Sequence, residues 1–229
     1  MDAGSPKVLQ GKIIMLRSII IKLCIVSGCA ASFFCSAPKS LPQRSGSTDA
    51  KVISIEDHRI KKHQEFLSEK SPLPPGERKK FKGLNYYPID LTYNVTARFV
   101  RNEKPVLFKM KTTTTRLPDY QKYADVYFTL NGKEHSLEVY QSPDLMKKSE
   151  YSDYLFIPFT DETNGKESYE VGRYLELRIP EGNEVELDFN KCYNPYCSYS
   201  PNYSCPIPPA ANDLATWVSA GEKKYKDDH

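Results

Sequence analysis

From Asp90 onward the chain alternates apolar and polar positions. Leu91, Tyr93, Val95, Ala97 and Phe99 are interleaved with Thr92, Asn94, Thr96 and Arg98, the period of two that gives a strand one buried face. Val106, Phe108 and Met110 repeat the pattern. Asn131-Gly132 is a hairpin signal, because both central residues of a type I′ turn need positive φ. A two-residue loop fixes the register. It pairs Leu130 with Lys133, Phe128 with His135, Val126 with Leu137 and Ala124 with Val139, on one mostly apolar face. Leu155–Phe159 is an apolar run interrupted by Pro158, which reads as an edge strand because proline lacks a ladder donor. Leu175, Leu177 and Ile179, then Val185, Leu187 and Phe189, predict a second hairpin. Parity pairs Ile179 with Val185, Leu177 with Leu187 and Leu175 with Phe189. Its odd loop is Glu181-Gly182-Asn183, with Asn183 left-handed and Arg178 facing Glu186.

The preceding segment has a different period. Ser54, with Asp57 three residues on, predicts a helix N-cap. The helix runs to about Glu69 and stops before Ser71-Pro72, because the residue before proline avoids helical geometry. Ile60, Phe66 and Leu67 make a narrow docking stripe, and Arg59, Lys61 and Lys62 read as a solvated face. A short helical turn is expected over 76–81. After Asn190, Pro195, Pro201, Pro206, Pro208 and Pro209 exclude long regular elements, so this tail is expected to wrap over the sheet. The fold class is mainly β. It is a single-domain antiparallel sandwich or small barrel of six to eight strands, spanning residues 54–226, with an N-terminal helical segment and an irregular Pro/Tyr-rich C-terminal cap.

Composition changes the picture at the N-terminus. The 229 residues carry 32 Lys and Arg against 29 Asp and Glu, a net charge of +3. Lys7, Lys12, Arg17 and Lys22 against Asp2 place that whole excess in the first 28 residues. A balanced body argues against nucleic acid as partner, since phosphate contacts need a basic surplus. A basic start, an apolar stretch from Ile19 and then small residues are the build of a secretory signal, and Met15 is an alternative start to Met1. Val26-Ser27-Gly28-Cys29 is similar to a bacterial lipobox. The expectation is a leader over 1–28, lipidation at Cys29, a tether over 29–53, and a domain held by its acyl anchor at a membrane of the cell envelope, facing the periplasm or exterior.

Several stretches resemble one family, the domain of unknown function 1684 family of bacteria and archaea. They are Ser71-Pro72-Leu73, Phe81-Lys82-Gly83-Leu84 with Tyr87-Pro88-Ile89-Asp90, Phe156–Asp161, Gly165, Tyr169 and Gly172–Leu175. Leu187–Asn190, Tyr193–Cys197, Tyr199, Cys205-Pro206 and Ala220–Lys223 complete the set. The resemblance spans residues 54–224 and implies one domain and a site region, without a reaction.

The candidate chemistry lies in that region. By parity Arg173 points inward at the start of its strand, where an unpaired charge is costly. Either Asp161 clamps it or it holds a ligand's carboxylate or phosphate. His135, beside Phe128, is a buried histidine or a general base. Tyr169, Asp188, Asn190, Tyr193 and Asn194 complete the ligand-binding candidates. With Tyr196, Tyr199, Asn202 and Tyr203, the tail tyrosines either cover the core or stack on a sugar or peptide. Export and spacing favour a Cys197–Cys205 disulfide over free thiols. Cys192 stands apart, and the spacings do not suit zinc, so no metal or cofactor is expected. No nucleophile elbow, zinc-protease helix or phosphate loop occurs. The reading is an exported, lipid-anchored β domain that binds a small-molecule or glycan ligand. The alternatives are a hydrolase using Asp161, His135 and Arg173, and a structural envelope component.

Overall fold

A computed structural model describes residues 42–226. The leader, Cys29 and the first part of the tether lie outside the described residues. A long helix, α1 (Ala50–Leu67), comes first, followed by the short α2 (Pro75–Arg78). The strands are β1 (Asn94–Arg101), β2 (Leu107–Lys109), β3 (Asp119–Leu130), β4 (Lys133–Gln141), β5 (Tyr154–Asp161), β6 (Arg173–Arg178), β7 (Glu184–Asp188) and β8 (Asp213–Leu214). They form one curled, half-barrel sheet in the order β6-β5-β4-β3-β1-β7, with β2 beside β3 and β8 beside β5. The expected mainly antiparallel β domain is therefore present, as a single curled sheet.

The helix starts four residues earlier than Ser54. Asp49 is the cap, its carboxylate accepting from the Lys51 and Val52 amides at 2.8 and 3.4 Å, which satisfies two of the donors a helix start leaves open. The Ser54 hydroxyl instead accepts from Lys191. Nor is the basic run simply solvated. Arg59 donates to the Tyr87 carbonyl at 3.0 Å, and Lys62 lies 4.4 Å over the Tyr193 ring.

The Asn131-Gly132 hairpin forms in the expected register: Leu130 opposes Lys133, Phe128 His135, Val126 Leu137 and Ala124 Val139. Asn131 and Gly132 have φ of 51° and 73°, as a type I′ turn requires. A register shift between Lys122 and Ala124 moves β3 from one core to another. Ala124, Val126, Phe128 and Leu130 enter the main core inside the curl, whereas Tyr120 joins a second cluster on the outer face with Met110, Tyr140, Phe156 and Tyr174.

The second hairpin does not form. β6 pairs with β5 and β7 with β1. Parity placed the residues on the correct face, since Leu175, Leu177, Leu187 and Phe189 all meet in the main core. Parity does not choose a neighbour. After β6, Ile179 donates to Asp153, and the Asn183 carbonyl receives the Phe99 amide at 2.7 Å, so the chain crosses to β1. Asn183 is not left-handed, and Arg178 pairs with Asp153 rather than Glu186. Nor is β5 an edge strand. It meets β4 only at Tyr140–Phe156, so on that side Pro158 loses no ladder bond, and its carbonyl accepts from Asn212 at 2.7 Å.

Candidate functional site

Arg173 is fully buried at the start of β6. Its Nη2 donates to Asp161 Oδ2 at 2.7 Å, Thr163 Oγ1 at 3.3 Å and the Val218 carbonyl at 2.8 Å. Its Nη1 donates to the carbonyls of Ala220 and Glu222 at 2.5 and 3.2 Å. The second Asp161 oxygen accepts from the Thr163 and Val218 amides. The pair thus ties the C-terminal segment to β5 and β6, and neither charge faces solvent. Asp188 and Asn190 are buried too. The Asn190 side chain bonds the Asp90 amide and carbonyl at 3.0 and 2.9 Å, and Asp188 caps the turn at Asn190. Asn194 holds Lys223 through its side chain and Glu222 through its amide. His135 stacks on Phe128 at 5.9 Å, with no contact to Asp161 or Arg173. These candidates fasten the fold, and the trio of the hydrolase reading does not converge.

The Cys197–Cys205 bond expected from export and spacing is not formed; Cys192, Cys197 and Cys205 are free thiols. Cys205 Sγ accepts the Cys197 amide at 3.2 Å, and Tyr169 Oη lies 3.6 Å from Cys197 Sγ. Cys192 is buried against the Ala220 carbonyl, and burial pushes its thiol up to about 11.

An open site lies on the outer face of β5 and β6, where α1 and the tail approach. This cleft of about 620 Å³ is walled by Tyr120, Tyr151, Tyr154, Phe156, Tyr174, Tyr193, Tyr196 and Tyr203, a size and lining typical of small-ligand sites. The rings brace one another edge to face: Tyr151 on Tyr154, Phe156 on Tyr174, Tyr174 on Tyr193 and Tyr196 on Tyr203. Two carboxylates enter the same space. Glu176 accepts from the Tyr193 hydroxyl, and Glu65 accepts from Tyr196 while pairing with Lys62 at 3.4 Å. Arg178, at the rim, is spent on Asp153 at 2.6 Å. Burial, then Lys62 and Lys191, push His58 down to about 4, so that imidazole is uncharged at neutral pH. The cleft is therefore aromatic, with Lys61, Lys62 and Arg178 against Glu65 and Glu176 in its lining.

Sequence reasoning found Tyr193, Tyr196 and Tyr203 but missed Tyr154, Tyr174, Glu65 and Glu176. The alternation in β5 and β6 put Tyr154, Phe156, Tyr174 and Glu176 on the face away from the main core. Three aromatics on an outward face were the available signal. Another miss is Glu222, 1% exposed. It accepts from Tyr199 Oη and from the Asn194 amide at 3.0 Å, and burial pushes it up to about 7.

The family model described as protein of unknown function (DUF1684) matches residues 79–223. The chain belongs to this family. Among solved structures, this DUF1684 chain is similar to the solution NMR structure of the uncharacterized protein from gene locus rrnAC0354 of Haloarcula marismortui. The two share 37% identity at a TM-score of 0.60, over 75% of this chain and 92% of that one. No curated protein matches it. The DUF1684 match covers most of the tyrosine cleft but begins after α1, so Glu65 and Lys62 stand outside it.

Proposed function

We propose that this protein is an exported, lipid-anchored β domain that binds a neutral glycan in the tyrosine cleft. One observation carries the binding part: eight aromatic rings line a cleft of about 620 Å³, with Lys62 paired to Glu65 and Arg178 to Asp153. An aromatic face offers apolar contact to the C–H face of a sugar ring, and ionised carboxylates accept hydroxyl protons. Glu176 and Glu65 are the acceptors here. A charged ligand gains little from Lys62 and Arg178, which already have acidic partners; Lys61 is the remaining cation of the lining. The Arg173–Asp161 pair contributes by fixing β6 and the tail that carry the walls. Export and the acyl anchor at Cys29 rest on the leader sequence, and the cell envelope is where such a domain meets polymeric sugars.

The test is calorimetric titration of the protein with cellotetraose, maltotetraose, xylotetraose and chitotetraose. At least one is expected to bind saturably. Tyr151→Ala and Tyr196→Ala should each weaken it about tenfold, roughly 1.4 kcal/mol. Absence of binding by all four, or affinity indifferent to both substitutions, rejects the glycan assignment.

A further inference from the structure

We infer that a second pocket, between α1 and residues 82–89, binds a small aliphatic monocarboxylate, with Arg59 taking the carboxylate. The inference goes beyond the glycan reading and is separate from it, because it uses the opposite face of α1.

Helical spacing separates the two sites. His58, Lys61, Lys62 and Glu65 form one stripe of α1 and enter the tyrosine cleft. Glu56, Arg59, Ile60 and His63 repeat that spacing two residues earlier, and two residues turn a helix by about 200°. This second stripe walls a pocket of about 660 Å³, a size typical of small-ligand sites. The facing wall is the segment after α2. Gly83, whose φ of 153° favours glycine, carries the backbone past the His63 ring. The Tyr87 amide then fastens the segment to the Gly221 carbonyl at 2.9 Å.

The cation in this pocket is poorly compensated. Arg173 shows what a buried guanidinium receives in this fold: a carboxylate, a hydroxyl and three carbonyls. Arg59 is half-buried and receives far less. It lies 4.5 Å over the Tyr86 ring, and its one hydrogen bond goes from Nη2 to the Tyr87 carbonyl. Its Nε is buried without a hydrogen-bond partner, and it joins no ion pair among the described residues. Taking a cation out of water without a carboxylate in return is costly. The Tyr86 hydroxyl, on the facing wall, is also buried and unbonded. Both groups can donate, so the partner that suits them is an acceptor, and the guanidinium favours an anion.

Glu56 does not serve as that anion, because its Oε1 accepts the Ser45 amide at 2.8 Å. Lys82, also in the lining, joins no ion pair among the described residues. Arg59 and Lys82 against Glu56 leave one positive charge, which matches a carboxylate better than a doubly charged phosphate. Pro42, Ile60, Leu84 and Ile89 supply apolar wall for a hydrocarbon chain.

The experiment is calorimetric titration of the full chain with sodium hexanoate, with hexanol, hexylammonium and hexyl phosphate as comparisons. Hexanoate is expected to bind saturably, and the alcohol and the amine are not. Arg59→Gln should weaken hexanoate about tenfold or more and Tyr86→Phe about threefold, whereas Tyr196→Ala, in the tyrosine cleft, should bind it as wild type does. Absence of saturable hexanoate binding, equal affinity for hexanol, or tighter binding of hexyl phosphate overturns the proposal. So does a loss caused by Tyr196→Ala and not by Arg59→Gln. Photolabelling of the wild type with 4,4-azipentanoate, mapped by mass spectrometry, needs no variant. Label competed by hexanoate is expected within residues 56–63 and 82–89, and label confined to the tyrosine cleft rejects the site even where Arg59→Gln fails to fold.

Discussion

At the scale of single residues, the buried charges decide what the fold tolerates. Arg173 is stable inside because carbonyls of Val218, Ala220 and Glu222, together with Asp161, replace the water its guanidinium loses. Its inward orientation was legible from strand parity, and so was its partner Asp161. Glu222 was not legible. It stands in a polar stretch, Gly221-Glu222-Lys223-Lys224, and only tertiary contact with Tyr199 and Asn194 buries it. Its carboxyl moves from an ordinary 4.5 in the unfolded chain to about 7 in the fold, chiefly through burial. Between those pH values the folded protein holds a proton that the unfolded chain has lost. Stability from this group is therefore complete below about 4.5, falls as pH rises, and is gone above about 7. The drop is on the order of 3 kcal/mol. Glu222→Gln cannot titrate. Its urea midpoint is expected to match wild type at pH 5 and to exceed it at pH 8, and an unchanged difference between the two pH values in the variant would contradict the assignment.

At the scale of elements, local signals were reliable where local bonds decide the outcome. The Asn131-Gly132 turn set both its own φ values and the register of β3 against β4. The helix start was misplaced because Ser54 and Asp49 both have cap chemistry, and the choice depends on what else each can bond. Lys191, 137 positions away, takes the Ser54 hydroxyl, leaving Asp49 to receive the two amides. Asp49→Ala should therefore cost about 1 kcal/mol. Ser54→Ala, at an exposed site with one bond to a lysine, should stay within about 0.5 kcal/mol. Chemical denaturation of both variants checks the ranking, and the reverse order would return the cap to Ser54. The β6–β7 hairpin failed for a related reason. Alternation says which face a residue takes, and the six aligned positions of β5 with β6 and five of β1 with β7 outcompeted one short hairpin.

At the scale of the whole molecule, the sheet class and the Pro-rich cover followed from composition and period, but the curl brought together what no local rule joins. Leu175 and Leu177 of β6 and Leu187 of β7 line one narrow space of about 200 Å³ beside His58 of α1, and the tail lays Tyr193 and Tyr196 over the outer face. The cleft is therefore a product of α1, β5, β6 and the tail together. No helix among the described residues is long and apolar enough to cross a membrane. Under the proposed function, attachment is through the lipid at Cys29. Acyl chains bind through burial of their methylenes, at about 0.8 kcal/mol each, and a serine at that position has no sulfur to acylate. Cys29→Ser, expressed in a bacterial host that processes lipoproteins, should move the protein from the membrane pellet to the soluble fraction and shorten its mass by the lipid. The domain should keep its thermal midpoint, because under the proposed function Cys29 belongs to the tether that precedes it. Membrane retention equal to wild type would show that something other than this thiol holds the chain there, and would remove the acyl anchor from the proposed function while leaving the tyrosine cleft to its own test.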